Sequence, residues 1–227
     1  MCQTRPVRID TEADLQTGLA ALACAQPRFA AIHAETGDPP LRRRPGGFAG
    51  LAAIVVSQQV STASAAAIWS RMAARLAPLD HAALLRARRD KLVRIGLSGG
   101  KIRTLRAVAR AIEAGALDLD GLVDRPADEA HAVLTALHGI GPWTADIYLL
   151  ACLGHADAWP AGDLALQESA RIAFGLAERP TARAMVPLAE PWRPWRAVAA
   201  RLLWSYYRVA KGRDVTPVPP PLLARSA

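Results

Sequence analysis

The stretch Leu134–Gly154, LTALHGIGPWTADIYLLACLG, decides the fold. Before it, Asp128 to Leu137 reads as a helix; past a break at Gly139–Pro142, a second helix runs from Pro142 to Leu153. Pro142 suits a first helical turn, where its missing N–H would have had no intrahelical partner. Gly139 and Gly141 permit a tight hairpin with positive φ and close backbone approach. Two helices joined this way aim backbone N–H groups, and the positive end of the second helix, at one point in space. Such a point binds a phosphate. A bare Gly-x-Gly corner would be no more than a capped turn between helices, so the longer string carries the weight.

Working outward, helical patterning dominates. One helix is predicted from Thr11 to Ala25, ended by Pro27, and a shorter one through Ile32 and His33. GDPPLRRRPGG, at 37–47, reads as a loop or inter-domain connection. Helices resume at Phe48 and continue to Gly154, with breaks near Ser57–Ser61, Pro78–Asp80, Gly96–Gly99, Gly115–Gly121 and Gly139–Pro142. Two more are predicted over Leu164–Gly175 and Trp195–Lys211. Alternating β-branched and aromatic runs are scarce, so the class is all-α, with about ten short helices and no sheet. The tail from Thr216, TPVPPPLLARSA, is expected to be extended or disordered.

The formal charge of +8 suits a polyanionic partner without identifying one, and an Arg-rich composition bias would produce it equally. Cys2, Cys24 and Cys152 are too few and too scattered for a disulfide framework or a metal cluster. MCQTRPVRIDTE holds no apolar signal core, and no run approaches the roughly 20 apolar residues of a membrane span. The expectation is a soluble, cytoplasmic protein of a reducing compartment, nucleoid-associated if bacterial.

The string Leu137–Ala145, LHGIGPWTA, resembles the hairpin of the HhH-GPD superfamily of DNA glycosylases, and within it the DNA-3-methyladenine glycosylase II branch. The resemblance runs from Phe48 to Arg208. It implies two helical subdomains flanking a DNA-binding cleft and containing a helix-hairpin-helix. Residues 47–155 form one subdomain and 156–215 the other, residues 1–46 pack with the second, and 216–227 are the tail. By position, the amides of Gly139, Gly141 and Thr144 grip the DNA backbone. The carbonyls of Thr135, Leu137 and Ile140 hold a monovalent cation, Na+ or K+. His138 stands where the family commonly has proline, and its imidazole offers a further phosphate contact.

Asp163, in Trp159–Leu164, WPAGDL, reads from the residues alone as an N-cap for the next helix. The resemblance makes it the catalytic carboxylate, and the two roles are compatible. Breaking a base–deoxyribose bond develops positive charge on the sugar, which a fixed carboxylate stabilises while it orients or activates water. An alkylated purine is already cationic and leaves easily, so one carboxylate suffices. Asp146 is expected to be structural and Asp157 solvated.

Trp143 occupies the place of the Schiff-base lysine of strand-cutting relatives, which implies a monofunctional enzyme. Lys101, in GLSGGK, reads as structural. No cysteine follows Cys152, which excludes the branch with an iron–sulfur cluster. Within Ser57–Ser61, SQQVS, the resemblance makes Gln59 the wedge that fills the gap left by a flipped nucleotide, with Gln58 nearer the base pocket. The residues alone give a polar turn with Ser61 as N-cap. Trp143 and Trp204 are implied as pocket walls, electron-rich faces that attract a cationic purine. Ile147 and Leu164 stand at pocket positions that are aromatic in the bacterial enzyme. Arg42, Arg43 and Arg44 either reach the DNA backbone or form a solvated loop. The expected function is removal of 3-methyladenine, with 7-methylguanine as a further candidate, from double-stranded DNA by a monomer needing no cofactor for catalysis. The alternatives are a non-catalytic hairpin protein that binds DNA or recognises lesions, and a glycosylase for oxidised or deaminated bases.

Overall fold

The computed structural model describes residues 7–212, so Cys2 and the proline-rich tail lie outside the described residues. Twelve α-helices run through them: α1 (Glu12–Ala25), α2 (Pro27–Thr36), α3 (Gly47–Ser57), α4 (Thr62–Arg75), α5 (His81–Arg86), α6 (Arg89–Ile95), α7 (Gly99–Glu113), α8 (Ala127–Thr135), α9 (Pro142–Ile147), α10 (Leu164–Ala173), α11 (Ala182–Ala189) and α12 (Arg196–Lys211). Among the described residues no helix is long and apolar enough to cross a membrane. The starts are written locally. Thr11 and Asp14 exchange side-chain and backbone hydrogen bonds in a capping box, and Ser61, Asp80, Ser98 and Thr181 each accept an amide of the first turn.

The packing sorts the helices into two groups. α1, α2 and α10 lie against α12, which is buried along its length from Arg196 to Tyr206. α1 approaches closely because Gly18 has no side chain: a Cβ there would sit 2.6 Å from Val198 and 2.7 Å from Trp195. Phe29 and Trp159 meet Trp192 edge-on and Phe174 stacks on it, so Trp192 is a core residue. The other group has the apolar α3 at its centre, against α4, α7 and α9, with α5 on α7 and α6 on α4. The first two and the last helices of the described residues therefore belong to one group and the middle ones to the other.

Five expectations need correction. The sequence reading missed α11, because Pro187 interrupts its pattern although Thr181 caps it well. It also ran past the break at Ala87–Arg88 that separates α5 from α6. Beyond Ile147 the second hairpin helix widens into a π-helical segment, Tyr148–Leu153. There the carbonyl of Ala151 accepts the Arg44 amide and the Arg43 guanidinium, both at 2.9 Å, and that of Leu150 accepts from Arg201 at 3.1 Å. The arginine run is thus anchored rather than solvated: Arg43 also pairs with Asp10, and burial pulls Arg44 down to about 10.

Asp157, the fifth, is not a solvated group either. It accepts from Arg193 and, at 2.7 Å, from Arg196, and both arginines also reach Asp128 at the start of α8. The Arg196 side chain is 5% exposed. This network fixes the beginning of α12 against the helix that leads into the hairpin. Within it Arg196–Asp157 is the buried pair, and removing one member of such a pair costs about 3–5 kcal/mol.

Candidate active site

The loop before α10 is held by four hydrogen bonds. Trp159 Nε1 donates to the Met185 carbonyl at 3.0 Å, and the Ala161 amide to the Trp159 carbonyl at 2.8 Å. The Asp163 amide donates to the Pro160 carbonyl at 2.9 Å, and Gln167 Nε2 to the Ala161 carbonyl at 2.8 Å. These fix the backbone that carries the half-buried Asp163. Its Oδ1 accepts the Leu166 amide at 2.9 Å, which makes it the N-cap of α10, and the Trp204 indole N–H at 3.2 Å. Its Oδ2 accepts the Trp143 indole N–H at 2.9 Å. A carboxylate has about four acceptor sites. Three are used, and the remaining one lies on Oδ2.

The two indoles thus come from the two helical groups, Trp143 from α9 and Trp204 from α12, and meet at one carboxylate. Trp143 is half-buried and Trp204 is 8% exposed. Leu164, next to Asp163, stands in solvent, 62% exposed. Ile147 does not share the surface expected of it. It is 1% exposed and packed into the core, so it offers no face to a base in this conformation.

At the hairpin the Ile140 amide donates to the Leu137 carbonyl at 3.1 Å. Gly139 takes φ +81°, and a Cβ there would fall 1.9 Å from Thr104 Oγ1 on α7. Gly141 does not share the positive φ expected of both glycines. Its φ is −85°, and a Cβ on it would meet nothing within 4 Å. Gly139 is required by the fold, whereas Gly141 faces open space. The amides of Gly141, Trp143 and Thr144 precede the first intrahelical bond of α9, from Ala145 to Gly141, and have no helical acceptor. His138 is exposed beside them.

This edge continues into the neighbouring helices. Gln58 Nε2 donates to Thr144 Oγ1 at 2.6 Å, tying the end of α3 to the hairpin. Gln59, the next residue, is exposed and held at φ +54°. Lys101 is structural, as expected: its Nζ donates to the Val56 carbonyl at 2.7 Å and closes the end of α3. Asp146 sits beneath the hairpin, 8% exposed, with His131 Nε2 at 3.7 Å, and burial pushes its carboxyl up to about 8.

Sequence reasoning missed the indole contacts to Asp163 and the Asp128–Asp157–Arg193–Arg196 network. The only hint of the network was the arginines within Trp192–Arg196, WRPWR. Among the described residues no three His, Cys, Asp or Glu side chains could together hold a metal ion.

Residues 52–194 match the family described as HhH-GPD superfamily base excision DNA repair protein. The chain belongs to this superfamily. Within the HhH-GPD superfamily it is similar to a DNA-3-methyladenine glycosylase of Bacillus subtilis, with 30% identity over 131 residues. That match covers 58% of this chain and 40% of the relative, so the chain spans less than half the length of that curated relative. The fold is similar to that of a DNA-3-methyladenine glycosidase from Bacillus halodurans, with a TM-score of 0.78 and 28% identity over 90% of this chain and 93% of that one. It also matches Schizosaccharomyces pombe 3-methyladenine DNA glycosylase Mag1 in complex with abasic DNA, with a TM-score of 0.74, 24% identity and coverage of 88% and 99%.

Proposed function

We propose that this chain is a monofunctional DNA glycosylase of base excision repair that hydrolyses the N-glycosidic bond of alkylated purines, 3-methyladenine first among them. The observation that carries the reading is the clamped carboxylate. Asp163 is fixed by one backbone and two indole N–H donors and keeps one acceptor site on Oδ2.

In this reading the phosphate backbone seats on the amides of Gly139, Gly141 and Thr144, beside His138, and Gln59 fills the stack as the damaged nucleotide turns out. The base comes to rest against Trp143 and Trp204, with Gln58 and Leu164 bordering the pocket. As the glycosidic bond lengthens, positive charge grows on the sugar, and Asp163 stabilises it. A water on the free site of Oδ2 then attacks the anomeric carbon and gives its proton to the carboxylate. The purine, cationic while attached, takes the bonding electrons and leaves as the neutral base without a general acid.

No lysine stands near this carboxylate in the sequence or the hydrogen-bond network. Trp143 holds the hairpin position, Lys101 is bound to Val56 and Lys211 is paired with Glu168. The strand is therefore expected to stay intact. The carbonyls of Thr135, Leu137 and Ile140 are neutral oxygen donors, and Leu137 keeps a second lone pair beyond its bond to Ile140. Such a set suits an alkali ion rather than a transition metal. A monovalent cation held there would brace the hairpin.

The test is incubation with methylated duplex DNA and chromatography of what is released. Free 3-methyladenine with an unbroken strand supports the reading. DNA binding with no base released from methylated, oxidised or deaminated duplexes overturns it in favour of a binding protein.

A further inference from the structure

Beyond the hairpin edge, the C-terminal end of α4, the helix α5 and the helix α6 surround a cavity of about 420 Å³. Arg75, Arg86, Arg88, Lys91 and Arg94 line it, and no carboxylate does. The four arginines are exposed and Lys91 is half-buried. Among the described residues none of the five has an ion-pair partner, whereas Arg43, Arg171, Arg193 and Arg196 each hold a carboxylate. Of the nearby acids, Asp80 accepts the Ala83 amide at 2.7 Å, Glu113 holds His81 at 3.2 Å, and Asp90, exposed in the first turn of α6, is not among the lining residues.

Five like charges around one concavity repel one another and focus a positive potential inside it. A sixth stands behind the wall. Arg106 of α7 donates to the carbonyl of Ala87, a lining residue, at 2.8 Å, and its buried Nε has no partner. The cationic surface also runs on toward the hairpin. The guanidinium groups of Arg89 and Arg103 both lie within 4 Å of where a Cβ on Gly99 would be, at the first turn of α7. One turn further, Thr104 abuts Gly139.

We propose that this cavity is a second phosphate site, which takes a backbone phosphate of the duplex flanking the damaged base. This rests on the reading of the protein as a DNA glycosylase. α4 starts beside Gln59 and ends at Arg75, and its 14 residues span about 20 Å at the α-helical rise. For a duplex that runs along α4, at 3.4 Å per base pair, the phosphate belongs to a position roughly 6 base pairs from the flipped nucleotide.

The experiment compares the wild type with Arg86→Gln/Arg94→Gln on duplexes of about 10 and about 25 base pairs, centred on the lesion and titrated at several salt concentrations. In the wild type the longer duplex should show the steeper salt dependence. In the double variant the slope for the longer duplex should fall by about 0.9 for each phosphate that is no longer neutralised. Binding of the shorter duplex, and base release at saturating DNA, should not change. Both arginines are exposed, so an unaltered melting temperature verifies that the fold is intact.

Equal wild-type slopes on the two duplexes would overturn the proposal and leave the glycosylase reading standing. Binding of neither duplex would overturn both. In a second arm inorganic phosphate is titrated calorimetrically without DNA. Phosphate binding that the double variant abolishes, with duplex slopes unmoved, would assign the cavity to a small free phosphate and overturn its role on DNA.

Discussion

Trp143 Nε1 donates a hydrogen bond to Asp163 Oδ2 at 2.9 Å, and so joins the hairpin helix to the carboxylate of the other helical group. Trp204 does the same to Oδ1 from α12. Each indole is thereby more than a flat apolar surface. Its edge aims the carboxylate, and the half-buried Trp143 keeps part of its surface open beside it, whereas Trp204 is 8% exposed.

Replacing either indole by phenylalanine keeps an apolar ring and deletes one N–H. A hydrogen bond to a charged group contributes about 1.5–3 kcal/mol, so Trp143→Phe should slow base release by about 10- to 100-fold. DNA affinity should change far less. Trp204→Phe should act in the same direction, and the double variant should lose less than the sum of the two, because both act on one carboxylate. Single-turnover kinetics beside binding titrations check this. Full activity in Trp143→Phe would show that the indole N–H does nothing in the reaction.

The two hairpin glycines should separate folding from binding. Gly139→Ala forces a side chain into a left-handed residue and against Thr104 Oγ1. It should lower stability by at least about 1–2 kcal/mol, read as a lower melting temperature. Gly141→Ala meets no protein atom and needs no unusual φ, so its melting temperature should stay within error. On the proposed seating of a phosphate at the Gly139, Gly141 and Thr144 amides, its methyl group stands in the way and duplex affinity should fall. Unchanged DNA binding by Gly141→Ala would displace the phosphate from this hairpin.

Asp146 contributes a pH dependence to stability. Burial raises its carboxyl from the ordinary 3.8 to about 8 in the folded protein. A carboxyl with a raised folded-state value is protonated on folding. Its contribution is therefore complete below about pH 4 and is lost as pH rises toward 8. Asp146→Asn should flatten the fall in melting temperature over that interval, and should be the more stable form at its alkaline end. Parallel profiles for the two proteins would show that Asp146 is ionised throughout.

The all-α class, the hairpin and the place of Asp163 were legible because each is written in a short string. LHGIGPWTA sets the turn chemistry, and WPAGDL puts a capping carboxylate where α10 begins. What stayed illegible depends on contacts across long separations. Asp128 and Arg193 lie 65 residues apart, and no local period links them. Ile147 illustrates the converse: its family position suggested a pocket wall, but the π-helical widening just beyond it and the surrounding core leave it sealed. The arginine run looked like a solvated loop because only the folded chain supplies the freed carbonyls of Leu150 and Ala151 that Arg201, Arg43 and Arg44 satisfy.

The most direct measurement is the single-turnover release of 3-methyladenine from methylated duplex by the wild type and by Asp163→Asn. Asparagine still caps α10 and fills the same space, so folding and DNA affinity should persist. Loss of its negative charge should cut the rate by at least about 100-fold. A variant that releases the base at the wild-type rate would contradict the assignment of Asp163 as the catalytic carboxylate.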